Sequence, residues 1–507
     1  MLAPDYLDHA PDRLILLWQQ AEDDILRDVA RRIGKMDALT PTANWQLWRY
    51  QQTEAVRKDV VKLLARYTGK SEAEIRRLMQ EAATAALEAE DEIYYHYGKE
   101  PTPFEESAPL QNLLNAGYQQ TAGSFSNLTA TTANTVSGAF EQALDRAWLQ
   151  VSSGAFDYKT AVKRAVDGLA DSMPYVTYPS GHRDTLEVAC RRAVLTGVNQ
   201  TGAKLQEARM DEMGASFVEV TAHGGARPSH AVWQGRRYHR GGAVDYLGQH
   251  YEDFESATGY GTGAGLCGWN CRHTFFVVFP ELGSPPAWTQ ESLEALNARD
   301  IEYDGGLYTR YEISQMQRAR ERAVRKWKRR YLAEDAAGAD AIASAMKLRQ
   351  ARQSLADFTR ATGGRVDSAR TSVHGFGRSE GSKASYAARK QERFNAANTE
   401  LQQMREAGTI KAKGRLIESP SAPNEINFAS DHVLQRWAER GMGPMDAERI
   451  IRSSKVAMSQ RNGTQTCYYS ELGFVAIEQD GNVSSIGPLD EGGKKLMEVV
   501  KKHGIPH

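Results

Sequence analysis

The chain has 507 residues, too many for one hydrophobic core, so about two to four domains are expected. Lysine plus arginine (63) nearly balances aspartate plus glutamate (64), so global charge does not point to nucleic-acid binding, and only local runs could. The absence of any run near about eighteen apolar residues argues against a membrane-spanning helix, and the acidic opening M-L-A-P-D-Y-L-D argues against a secretory signal. Cys190, Cys267, Cys271 and Cys467 are too few and too scattered for a disulfide scaffold, which points to synthesis in a reducing compartment.

Residues 1 to 100 read as an N-terminal helical domain. Leu14, Leu16, Leu17, Ile25, Val29 and Ile33 fall at helical spacing among charged residues. Pro41 marks a break, and Ala43 opens an amphipathic segment that runs to Tyr67. Ser71 and Glu74 form a capping-box pattern for a third helix, Ala73 to about Tyr97. Pro101, Pro103 and Pro109 mark a linker. The Thr-, Ser- and Asn-rich stretch from 110 to 150 reads as a polar helix whose small side chains pack closely on a neighbour. Helices continue to Met213, with a loop near Pro174 to Gly181. The region 110–309 reads as a core domain with a short strand at Phe217 to Thr221 and a loop-rich centre at 221–285 that holds a second strand at Thr274 to Val278.

A long charged helix is expected at 310–360, strongest from Arg310 to Ser354. Its run Arg318 to Tyr331 holds eight basic residues and one acid, spread all round the helix. Two readings stand: a solvated helix, or contact with packaged DNA or an acidic partner through sequence-independent phosphate binding. Residues 361–425, rich in Gly, Ser, Arg and Lys, read as a flexible linker carrying one helix, Ala387 to Ala407. A compact module follows at 426–507. There Gly441 ends one helix and Pro444 opens another, with Ile450 and Ile451 inward. Thr464 to Tyr469, Gly473 to Glu478 and Val483 to Ile486 then read as antiparallel strands. The fold class is α+β multidomain: a mostly helical body with a loop-rich, short-strand centre, and a small C-terminal α+β domain of helices followed by an antiparallel sheet.

Two places carry chemistry. In the centre, H-G-G-A-R-P-S-H-A-V-W-Q-G suggests a tight turn presenting His230. G-L-C-G-W-N-C-R-H places Cys267, Cys271 and His273 within seven residues. With His230, or else His223, these would make a tetrahedral Cys2His2 set for structural zinc. The alternative is a pair of reduced thiols in a glycine-braced loop with His273 hydrogen-bonded. In the tail, His432, Arg436 and Arg440 recur every four residues and share one helix face.

The centre, together with R-R-A-V-L-T-G-V-N-Q-T-G-A-K-L (Arg191 to Leu205), resembles the phage minor capsid protein family, type 2, over roughly residues 5 to 355. That resemblance implies a virion protein of a tailed phage, made in the bacterial cytoplasm. It implies a place inside the head at the portal vertex, with the portal protein or the major capsid protein as partner, and a role in head morphogenesis or DNA ejection.

The tail resembles the barnase/EndoU/colicin/RelE-like nuclease superfamily through H-x3-R-x3-R-G and the strands that follow. This implies metal-independent RNA cleavage, in which a base deprotonates the ribose 2′-hydroxyl and cations stabilise the charged phosphoryl oxygens. His432 would be the base or acid, Arg436 and Arg440 would hold the phosphate, and Tyr468 and Ser485 would orient the substrate. Two departures stand out. Apart from His503 and His507 at the extreme tail, His432 is the only histidine in the module, so a second proton donor would be Tyr468, Tyr469 or Glu439. Ser485 stands where family members often carry threonine. The alternatives are a structural minor capsid protein with an inactive or nucleic-acid-binding tail, and a polymorphic-toxin-like secreted effector.

Overall fold

The computed structural model describes residues 2–36, 42–172, 175–178, 181–410, 413–418, 426–428, 431–454 and 456–505. The chain divides into two compact units, Met1–Glu380 and Gly381–His507.

In the first unit, five helices dominate the N-terminal part: α1 (Asp12–Gly34), α2 (Thr42–His96), α3 (Ala108–Ser152), α4 (Tyr158–Ser172) and α5 (Leu186–Met213). The apolar stripe of α1, including Trp18, Ile25 and Val29, packs into one core with Leu64 and Ala86 of α2, Phe125 and Phe140 of α3, and Leu195 of α5. Residues 1–100 therefore share their core with later helices and do not form a domain of their own. The two helices expected between Ala43 and Tyr97 are one helix of 55 residues. Ser71 caps nothing: it is buried, its hydroxyl donates back to the Tyr67 carbonyl (2.8 Å) and accepts from Trp18 Nε1 (3.0 Å). A serine that bonds to the carbonyl four residues back stays inside a helix rather than starting one.

The small-residue reading of α3 has a direct physical counterpart. A Cβ on Gly117 would lie 2.1 Å from Thr201 Oγ1 of α5, and one on Gly197 of α5 would lie 2.2 Å from Thr121 Oγ1 of α3. The two backbones approach this closely only because each threonine faces a glycine. At the loop expected at 174–181, of which 174, 179 and 180 lie outside the described residues, Tyr175–Thr177 pairs with Arg183–Thr185.

The centre is a three-stranded antiparallel sheet. β1 (Phe217–Val220) lies between β2 (Arg237–His239) and β3 (Phe275–Val277). Its own core gathers Tyr94 and Met210 from α2 and α5 with Trp233, Tyr238, Phe254 and Phe275. The charged helix breaks where a single helix was expected. α6 (Arg310–Ala336) ends at Gly338, whose φ is +69°, and α7 (Ile342–Thr362) packs back on it. A Thr309/Glu312 capping box starts α6.

The basic run is largely engaged inside the body. Arg329 pairs with Glu22 at 3.0 Å, Arg325 with Glu187, Arg330 with Asp167, and Lys326 with Asp171 at 3.0 Å. Arg320 lies over the Phe358 ring at 4.1 Å. The stretch expected to be a flexible linker is also structured. Asp367 caps a short helix, Ser368–Thr371, whose last carbonyl accepts from Lys328 Nζ at 2.5 Å, and the His374 N–H donates to Asp23 at 2.7 Å.

The second unit is a five-stranded antiparallel meander in chain order: β4 (Arg415–Glu418), β5 (Val456–Gln460), β6 (Gln465–Ser470), β7 (Gly473–Glu478) and β8 (Val483–Gly487). Strand alternation gives it two apolar faces. One face carries Met458, Cys467 and Ala476 against Phe394 and Leu401 of α8 (Arg378–Glu406) and Leu496 and Val500 of α11 (Glu491–Lys502). The other carries Ala457, Tyr468, Val475 and Ile486 against Trp437 of α9 (Asp431–Glu439) and Ile450 of α10 (Pro444–Ser453). The linker helix is thus one wall of the C-terminal core, and part of the linker, β4, is an edge strand.

Candidate metal centre

The glycine-rich centre folds around three buried side chains. After β1 the chain turns through Gly225 (φ +85°) into a single helical turn, Pro228–Ala231, which holds His230 at 2% exposure. Gly235 (φ +66°) then returns the backbone, its N–H donating to the Val220 carbonyl at 3.0 Å.

The second loop, 259–273, is tight enough to need its glycines. A Cβ on Gly265 would lie 1.9 Å from the Gly259 carbonyl oxygen, and one on Gly268 would lie 2.5 Å from that of Gly263. Cys267 and Asn270 adopt positive φ without being glycine, at +57° and +53°. This path aims Cys271 at the two histidines, its Sγ lying 3.7 Å from His230 Nδ1 and 3.6 Å from His273 Nδ1. Among the described residues, these three form the one group of His, Cys, Asp and Glu side chains close enough to share a metal ion.

Of the four ligands anticipated, the structure brings together His230, Cys271 and His273. Cys267 stands apart, with its thiol 3.6 Å from the His273 carbonyl oxygen. His223 stacks on His273 with ring centroids 4.4 Å apart, and its Nδ1 lies 3.1 Å from the Gly224 carbonyl.

Two supporting residues escaped sequence reasoning. Asn199 of α5 donates from Nδ2 to the carbonyls of both Cys271 and His273, each at 3.0 Å, and so fixes the ligand loop to the helical body. Gln234 accepts the His223 N–H at 3.1 Å on the same Oε1 that meets His273 Nε2 at 3.0 Å. Both residues sit in the motifs quoted above, yet nothing in spacing alone gives them a partner.

Burial pushes the His273 imidazole well below its ordinary range, helped by His223, His230 and nearby arginines, and pushes His230 down as well. It takes His223 down to about 4. Burial raises the Cys271 thiol, and burial together with Cys271 raises Cys267 further. The histidines are therefore neutral near neutral pH, with one ring nitrogen each available as a donor of electrons.

The cluster forms one wall of a cavity of about 400 Å³. Seven arginines and three carboxylates line it, an excess of positive charge. Asp8 sits among them, 3.1 Å from Arg272 and 3.9 Å from Arg370. Arg318, first of the basic run, has a buried Nε with no hydrogen-bond partner. Burial, with Arg370 as the next cause, takes its guanidinium down to about 10.

The tail candidates are arranged differently. His432 and Arg436 lie one turn apart on α9, and their side chains are outside the described residues. Arg440 follows the helix and donates from Nη1 to the Ile486 carbonyl at 2.9 Å. Tyr468 is 3% exposed and packs under Trp437. Ser485 pairs with Ala476 and so belongs to the opposite face of the sheet. The structure does not bring Tyr468 and Ser485 to one surface. Tyr469 is buried on the α8 face, whereas Glu439 is exposed.

The family model "Phage minor capsid protein 2" matches residues 2–360. That span contains the five N-terminal helices, the central sheet and every residue lining the cavity except Arg370. No curated protein and no solved structure matches the chain. Among the described residues, no helix is long and apolar enough to cross a membrane. The chain belongs to the phage minor capsid protein 2 family and is a structural protein of the phage head.

Proposed function

We propose that this is a portal-proximal minor head protein whose body serves head morphogenesis or DNA ejection, and whose C-terminal unit is an appended effector. The observation that carries this reading is the coincidence of two boundaries. The family match stops at residue 360, and a separate compact unit with its own two-faced sheet begins at 381. A module added to a head protein travels with the virion. A symmetry-free reconstruction of the virion tests the location: density for the helical body at the portal vertex is expected, and occupancy of ordinary capsid positions would overturn it.

For the effector we infer ribonuclease activity centred on α9. What supports it is the placement of His432 and Arg436 one turn apart on a helix that packs against an antiparallel sheet, with Arg440 just beyond. The inward placement of Tyr468 and the opposite facing of Ser485 leave the proton transfers to His432 and exposed Glu439. Full-length protein is expected to cleave RNA in the presence of a chelator, and His432→Ala to lose that cleavage. Equal cleavage by both proteins, or none by the wild type, would leave a structural protein with an inert tail.

A further inference from the structure

We propose that His230, Cys271 and His273 bind one zinc ion through Nδ1, Sγ and Nδ1, and that the fourth coordination position opens onto the arginine-lined cavity and takes a phosphate-type oxyanion. Three independent features of the centre lead there.

The first is distance. Zinc–sulfur and zinc–nitrogen bonds of about 2.3 Å and 2.0–2.1 Å at a tetrahedral angle separate the two ligand atoms by about 3.5 Å. The sulfur lies 3.7 Å and 3.6 Å from the two imidazole nitrogens.

The second is tautomer. His230 Nε2 lies 2.9 Å from the Ala264 carbonyl oxygen, and His273 Nε2 lies 3.0 Å from Gln234 Oε1. Gln234 cannot turn its amide nitrogen to His273 without giving up the His223 N–H that it accepts. Both acceptors require an N–H at Nε2, so a neutral ring presents its lone pair at Nδ1. Metal-ligating histidines are held in the same way, with the far nitrogen donating to a carbonyl or carboxylate. Both lone pairs converge on one sulfur. A single S–H can donate to only one of them, and the other would face electron-rich sulfur in a buried site. A cation between the three atoms satisfies all of them.

The third is the open side. Structural zinc sites close with four protein ligands, whereas sites with three keep a position for water or substrate. Cys267, the obvious fourth, lies outside the group of three close enough to share an ion. All three ligands border the cavity, where Arg318 has an unused donor and Arg191, Arg272 and Arg370 lie near. A volume of about 400 Å³ suits a small phosphorylated molecule or free phosphate, and guanidinium forks match phosphate oxygens.

The test uses the full-length protein. Elemental analysis after expression in zinc-supplemented medium should find one zinc per chain. Cobalt substitution should give the visible bands of a four-coordinate ion and a charge-transfer band of one-thiolate intensity. Cys271→Ser should abolish that band, and Cys267→Ser should keep it. Inorganic phosphate should shift the visible bands, and Arg318→Ala should weaken that response by about tenfold. A nucleoside monophosphate is the second arm: tighter binding than phosphate assigns the cavity to a phosphorylated small molecule, and equal binding assigns it to phosphate itself. A wild-type protein with no zinc and no charge-transfer band overturns the proposal, whatever the variants do. A band halved by Cys267→Ser, or one that ignores phosphate, overturns the open fourth position.

Discussion

The central loops and the C-terminal sheet bury side chains for different reasons. In the centre, strands of three or four residues supply little apolar area, and the ligand loop is held by amides: Asn199 on two carbonyls, and Gln234 between His223 and His273. In the tail, strands of four to six residues alternate between two apolar faces, and packing settles where each residue goes. Polar atoms are thus assembled in the centre and displaced in the tail. Tyr468 lies under Trp437, and Arg440 is tied to a strand carbonyl. A cluster that costs desolvation and glycine strain persists when it serves a site, whereas a cluster inferred from helical spacing has to compete with the core beneath it.

The sharpest way to break this contrast is to remove packing from the tail. Trp437 is 2% exposed and covers one face of the sheet. Trp437→Ala is expected to cost the second unit about 3–5 kcal/mol through lost burial and the cavity left behind. Hydrogen exchange read by mass spectrometry should show amides at 431–500 losing protection while 217–277 keep theirs. Equal loss in both regions would show that the two cores are not separate cooperative units.

The matching change in the centre removes a polar clamp. Asn199→Ala leaves two buried carbonyls without their donor, an expected loss of about 2–3 kcal/mol. Exchange should rise at 268–277 and little elsewhere. Unchanged protection there would mean that the loop is held by its glycine geometry alone.

How much of this was legible depended on how local the signal was. β1, β3, β6, β7 and β8 and the α9–α10 turn follow from alternation and from Gly441 and Pro444, because such signals act within a few residues. Three of the four proposed metal ligands came together because two of them are two residues apart and His230 is presented by its own turn. The break at Gly338 was missed because the charged pattern continues on both sides of it. The linker was misread because polar composition hid Phe394, Ala397 and Leu401, which recur at helical spacing and face a sheet that forms later in the chain. Nothing local could join Asp8, Arg191, Arg272, Arg318 and Arg370 into one cavity.

The smallest expected effect tests whether the centre's polar burial is felt as pH dependence. Glu90 of α2 is fully buried, accepting from Gln206 Nε2 and from the Val277 N–H of β3, each at 3.1 Å. Burial raises its carboxyl from 4.5 to about 7, against the two hydrogen bonds that favour the charged form. Between those values the folded protein holds a proton that the unfolded chain has released, so stability is full below the unfolded pKa and falls as pH rises through the folded one. Asp23, raised to about 6 by burial, adds a slope of the same sign that begins lower. Glu90→Gln keeps an acceptor for Val277 and removes the titration, while its amide meets Gln206 less well, so the absolute stability of the variant decides nothing. The slope decides: urea midpoints of the first unit measured across the window should fall less steeply in the variant than in the wild type, the slope that remains coming from Asp23 and from Glu334, whose carboxyl burial also raises to about 7. Parallel curves would mean that the centre tolerates an ionised Glu90, and that its polar burial carries less tension than the contrast with the tail requires.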